Sequence, residues 1–218
     1  MGLMQTVRRN LGEVRARRRQ SMELAARNPG FVEAVAADVA VTCKYRGERF
    51  ELTDKWDVLI NGVRLAWTSD AFLAQVVYRG RVAMRRRGVP LLPAVAHRVS
   101  MVLADVVIGD PVIMKPGVYI PHGQVVVDGI SQVGSDVILF PWITIGLRAG
   151  NFHGPTVGDG VEVGTGSRVL GPLTLGNGSY VGANAVVISD VPADAVVVGV
   201  PASPIDRTPA VAAAGQNR

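Results

Sequence analysis

Cysteine is almost absent from this chain: Cys43 stands alone among 218 residues. One thiol excludes an internal disulfide framework and any zinc site built on cysteine. Histidine is nearly as scarce, with only His97, His122 and His153. These are not spaced as a three-His cluster, so no metal is expected and a metal-dependent hydratase is excluded. Aromatic residues make up 6 %, too few for a large aromatic core. No apolar run reaches the length of about 18 residues that a membrane span requires. The first twenty residues carry charges with no apolar stretch behind them, unlike a secretory signal. The expectation is a cytoplasmic protein with no membrane span.

What is plentiful is glycine, at 25 residues, within a composition that is 48 % apolar. That mixture points to many tight turns around an aliphatic core. Charge divides the chain. Residues 1–100 hold 18 Lys and Arg against 9 Asp and Glu, while residues 101–218 hold 5 against 9. Two arginine clusters dominate the first half, Arg15 with Arg17–Arg19, and Arg85–Arg87. No basic heptad array, zinc finger or aromatic-interleaved strand accompanies them, so no nucleic acid is expected as partner. The clusters read as solvated helix faces.

The first hundred residues carry helical signals. Residues 14–26 lack Gly and Pro and stop at Asn28-Pro29-Gly30, a strong breaker. Phe31, Val35, Ala36 and Val39 fall at helical spacing. Leu52-Thr53-Asp54 and Ser69-Asp70 offer N-caps before two further apolar-periodic stretches, and a last helix spans 91–103. A helical N-terminal domain over 1–104 is expected, with a solenoid domain over 105–205 and a flexible tail over 206–218.

From Val107 the period changes. In steps of six, Val157, Val163, Val169, Leu175, Val181 and Val187 are all aliphatic. Four residues after each come Val161, Ser167, Leu173, Ser179, Ala185 and Val191, all small or aliphatic. Backwards, the same period marks Ile145, Leu139, Val133 and Val127, then Ile120, Met114 and Ile108 after a slip of one residue within 121–126. Between Ile145 and Val157 the middle beat is Asn151. A helix repeats at 3.6 and a strand at 2, so six requires short strands separated by corners. Three such sides close a triangular coil, and stacked coils bury a continuous aliphatic column. The fold class is mainly β, a parallel β-helix of about five coils preceded by a helical region.

The stretches Tyr119-Ile-Pro-His-Gly123, Ile143-Thr-Ile-Gly146, Phe152-His-Gly-Pro155 and Val157 to Gly171 resemble the hexapeptide-repeat acyltransferases, whose β-helices are left-handed. Within them the sequence is most similar to serine O-acetyltransferases, and the ending Val198-Gly-Val-Pro-Ala202 is similar to their terminal coil. The resemblance implies transfer of an acyl group from acetyl-CoA to a hydroxyl of a small acceptor, in a homotrimer that a helical region can pair into a dimer of trimers.

Residue by residue, the resemblance makes His122 the general base, at a corner where the slip lifts it out of the wall. The alternative is a corner histidine bonded to backbone. His153 matches the family's second histidine, which holds the acceptor between neighbouring subunits; its alternative is a solvated loop residue. His97 reads as a packing or interface residue. The family's orienting aspartate falls on Val107, which cannot serve, leaving Asp105 and then Asp110. The pantetheine arm of CoA would run along Gly146, Thr165, Gly166 and Ala183. Arg168 or Arg207 would meet its phosphates, since the family's terminal basic residue is Ser203 here. The acceptor side would include Phe152, Arg148 and Asp128. Pro121 and Phe152 stand where the family carries the charges that grip an amino acid, which predicts that serine is a poor acceptor. Phe152 and Trp142 would instead suit a ring such as a sugar. The competing class is a non-catalytic β-helix scaffold.

Overall fold

The structure, a computed structural model, describes residues 19–20 and 22–205. The tail, Arg207 and Arg15, Arg17 and Arg18 lie outside the described residues. Residues 22–26 are helical. Four longer helices follow: α1 (Phe31–Tyr45), α2 (Lys55–Thr68), α3 (Asp70–Arg86) and α4 (Leu92–Ala104). The caps fall where the sequence puts them. The Asp54 carboxylate accepts from the Trp56 and Asp57 backbone N–H groups, and the Ser69 hydroxyl accepts from Phe72 N.

Helix gives way to a parallel β-solenoid of about five turns. One sheet holds β1 (Val106–Ile108), β4 (Val125–Val127), β7 (Thr144–Gly146), β10 (Arg168–Leu170) and β13 (Val186–Val187). The second holds β2 (Ile113–Met114), β5 (Ile130–Val133), β8 (His153–Val157) and β11 (Thr174–Leu175). The third holds β3 (Val118–Tyr119), β6 (Val137–Leu139), β9 (Glu162–Val163), β12 (Tyr180–Val181) and β14 (Val196–Val198), ended by the antiparallel β15 (Ser203–Ile205). Residues on the six-residue beat fill the core: Ile145, Leu139, Val163, Val169, Leu175 and Val181 are completely buried.

Register shows where the regular coil is broken. Along the first sheet, Val127 pairs with Ile145 and Val169 with Val187, 18 residues per turn. Ile108 pairs with Val127, a turn of 19, and Ile145 with Val169, a turn of 24. The extra residue lies in the corner between β3 and β4, which contains His122. The six extra residues form the loop between β7 and β8, immediately before His153. Asn151 sits in that loop and is not a side of the triangle. Every later beat is therefore moved on by one side relative to a simple count of sixes.

The open edge of the first coil is covered by polar side chains from the helices, a means of closing exposed strand edges. Arg79 and Asp38, 3 % and 1 % exposed, form a two-pronged ion pair with N–O distances of 2.9 and 3.1 Å. Arg79 also donates to the Met114 and Lys115 carbonyls, and Asp38 accepts from Gly117 N and Val118 N. Gln75 donates to the Val118 carbonyl at 2.8 Å and Arg81 donates to the Ile108 carbonyl. The Tyr78 hydroxyl bonds Asn28 and the Val112 carbonyl, and burial pushes its pKa up to about 12. The reading of Arg85–Arg87 as a solvated face is corrected for two of the three. Arg85 pairs with Asp110, and Arg86 donates to backbone carbonyls of Ala25, Ala26, Asn28 and Pro29. These carbonyls sit at the end of the preceding helical turn, where a guanidinium fork fits several acceptors at once.

Candidate functional site

Two corners of the solenoid carry the candidate residues, at opposite ends of the first sheet. The corner between the third and first sheets holds His122. Ile120 is buried beneath it, and the extra residue turns the chain so that the imidazole is exposed. His122 makes no hydrogen bond within the described residues, which leaves both ring nitrogens open to a ligand. The alternative of a histidine tied to backbone is not what the geometry shows. The C-terminal end of α4 supports this turn from below. Asp105 caps α4 in the left-handed conformation (φ 51°), and its carbonyl accepts from Gln124 N at 2.8 Å. Gly123 packs so tightly on the Ala104 carbonyl that a β-carbon would come within 2.2 Å. Asp105 thus lies directly under the His122 turn, although no ion pair joins the two side chains. Asp110 does not lie there. It stands at the opposite corner, 3.5 Å from Arg81 and paired with Arg85.

Higher coils continue the same corner. Thr165 and Ala183 are exposed on it and Gly166 is half-buried. Arg168 holds this corner together by donating to the Gly166, Ser167 and Trp142 carbonyls. Gly146, at the far end of β7, is at the other corner. The structure separates it from Thr165, Gly166 and Ala183 because the 147–152 loop takes up one beat.

The second corner, between the first and second sheets, gathers Asp128, Phe152 and His153 at a cavity of about 1140 Å³. Its lining also includes the turn between α3 and α4, Arg85, Asp110, Ile130 and Leu147, with Met22 and Leu24 from the helical segment that precedes α1. His153 opens β8 opposite Ile130, where the β5–β8 register shifts. The Asn151 side chain accepts from His153 N at 2.9 Å and so fixes the loop exit. Glycine is required at two places here: a β-carbon would sit 2.0 Å from the Ser131 hydroxyl at Gly154 and 2.1 Å from Leu147 at Gly129. Phe152 and His153 are both exposed. Arg148 is not part of the lining; it donates to the Ile188 carbonyl at 2.7 Å and lies along Gly171, bracing the loop. His97 is half-buried behind this corner. Burial is the main influence lowering its pKa, reinforced by Arg81 and opposed by Asp110. Sequence reasoning missed the Arg81–Asp110–Arg85 cluster, because its partners share no periodicity.

No protein-family model matches the chain. Curated proteins do. Over 127 residues it is 41 % identical to the serine acetyltransferase of Mycobacterium tuberculosis, covering 56 % of this chain and 55 % of that protein. Over 158 residues it is 31 % identical to the serine acetyltransferase of Helicobacter pylori, covering 71 % of this chain and 88 % of that one.

The chain belongs to the serine acetyltransferase family.

It spans only about half the length of the mycobacterial relative. A serine acetyltransferase solved in complex with CoA superposes with a TM-score of 0.67 at 24 % identity, over 84 % of this chain and 73 % of that one. The shared fold is the solenoid with helices at its N-terminal end. Within that frame, the two longer-than-regular turns of this serine acetyltransferase relative are the ones that present its two candidate histidines. Among the described residues, no helix is long and apolar enough to cross a membrane.

Proposed function

We propose that the chain transfers an acetyl group from acetyl-CoA to the hydroxyl of serine, with His122 as general base. The observation that carries this reading is the break in coil length: the solenoid departs from 18 residues to present an unbonded His122, and again just before His153. In the reaction, His122 takes the proton of the acceptor hydroxyl as its oxygen attacks the thioester carbonyl carbon. The carbon–sulfur bond then breaks, and the protonated imidazole returns its proton to the CoA sulfur. Asp105 is the residue placed to influence His122 from below. Thr165, Gly166 and Ala183 supply a small-residue track for pantetheine on the same corner, and Gly146 is not on it.

His122 and His153 lie at opposite ends of one side of the triangle: β4, which joins their corners, spans roughly 10 Å at 3.3 Å per residue, and the corner residues add to that separation. One chain therefore cannot apply both to one acceptor. A homotrimer resolves this by placing the His122 corner of one subunit against the His153 corner of the next. The exposed apolar face of α2, with Trp56, Ile60, Val63 and Trp67, is a surface on which trimers would pair further. The expectation that serine is poor gives way to the relatives, which are serine acetyltransferases, and Asp128 offers the cavity a carboxylate for an ammonium group. A ring-bearing acceptor is the second reading, favoured by the cavity volume and by Phe152. A single free cysteine and a CoA donor suit the cytoplasm, a reducing and CoA-rich compartment.

Mixing subunits tests the shared site. His122→Ala and His153→Ala chains, each impaired alone, should regain transfer when unfolded and refolded together, because mixed trimers contain some intact sites. Sedimentation should give a trimer or a pair of trimers throughout, the same for each variant and for the mixture. An active monomer, or no recovery on mixing, would contradict the shared site.

A further inference from the structure

Trp142 adopts φ 66°, the left-handed region. That conformation is costly for a bulky L-residue, and its persistence in a structure asks for a reason. Strand register gives the position a precise context. It stacks above Gln124 and below Gly166 and Asn184, the matching residues of the neighbouring coils. Gly166 and Asn184 also have positive φ, as does Gln124. Glycine and asparagine are the residues that accept this geometry most readily; tryptophan is not.

The backbone there is over-determined. Arg168 donates to the Trp142 carbonyl, and Gly166 N donates to the Pro141 carbonyl at 3.0 Å. The side chain, in contrast, is 60 % exposed and pairs with no other ring among the described residues. A tryptophan with a strained backbone and an unburied indole contributes little to the fold that asparagine would not.

Its place in the corner indicates its use. Trp142 lies one coil above the turn that carries His122 and one coil below Thr165 and Gly166, so it separates the proposed base from the proposed pantetheine track. We infer that Trp142 is a specificity residue for the donor, presenting its indole to the acyl-bearing end of the thioester. This inference rests on the donor reading given above. It also separates Trp142 from Phe152, which stands at the cavity on the opposite corner.

The test uses full-length Trp142→Asn and Trp142→Gly beside the unaltered chain. Each is examined by thermal unfolding, by calorimetric titration with acetyl-CoA and by sedimentation. The expected result is a melting temperature equal to or a few degrees above that of the unaltered chain, an acetyl-CoA affinity lowered about tenfold, and an unchanged assembly. Equal affinity in the variants would overturn the inference. So would a lower melting temperature, the mark of a packing residue, or dissociation of the assembly, the mark of a subunit contact. If the unaltered chain itself fails to bind acetyl-CoA, the donor reading fails first, and the titration distinguishes that case.

Discussion

His122→Ala is expected to lower acetyl transfer by about 10²- to 10⁴-fold, the contribution of a well-placed general base. The site explains why the loss falls on chemistry and not on folding. The imidazole is exposed and has no hydrogen-bond partner among the described residues, so its removal leaves no buried group unsatisfied. The aliphatic column under it, Ile120 with Met114 and Val127, is untouched. Affinity for acetyl-CoA should be unchanged within a factor of about two, since the substitution removes proton transfer and not a donor contact. His153→Ala should instead raise the KM for the acceptor. Product must be measured directly, because slow hydrolysis of the thioester releases CoA without transfer. Near-normal turnover in His122→Ala would remove this residue from the mechanism.

Asp38→Ala is expected to destabilise the fold by about 3–5 kcal/mol, the penalty for leaving a buried charge unpaired. Asp38 holds more than one partner. Its loss strands the Arg79 guanidinium at 3 % exposure and frees two backbone N–H groups, Gly117 and Val118, on the edge of the first coil. Arg79→Ala should cost a similar amount through the stranded carboxylate. The double replacement Asp38→Leu with Arg79→Met should recover part of the loss, since paired removal leaves no buried charge. It should not recover all of it, because the Met114 and Lys115 carbonyls lose their donor. Urea denaturation midpoints at constant slope measure each value. A loss below about 1 kcal/mol for Asp38→Ala, the range of an exposed pair, would show that the helices do not depend on this contact.

The elements that could be read in advance are those whose cause is local or repeated. Asp54 and Ser69 cap helices through N–H groups two or three residues away, and the aliphatic beat from Val157 to Val187 recurs at every coil. Both signals lie along the chain. The pairing of Asp38 with Arg79 spans 41 residues and that of Asn28 with Met114 spans 86, and nothing in the intervening sequence marks either. Asp110 follows Asp105 as a sequence candidate to orient His122, but two arginines on α3 hold it at the other corner. Gly146 and Thr165 fall on one track only if every sixth residue is a side, and the loop containing Asn151 breaks that count. The left-handed backbone of Trp142 is concealed for a related reason. Its position is that of Gly166 and Asn184, but only the strand register aligns them.

Acetyl transfer to serine is tested by incubating the chain with acetyl-CoA and a panel of hydroxyl acceptors, serine and simple sugars among them, and identifying products by mass spectrometry. The expected products are free CoA together with serine carrying one additional acetyl group on its oxygen, and that product should be lost in His122→Ala. Absence of acetylated product from every hydroxyl acceptor, with the chain folded and acetyl-CoA intact, would contradict the proposed transfer.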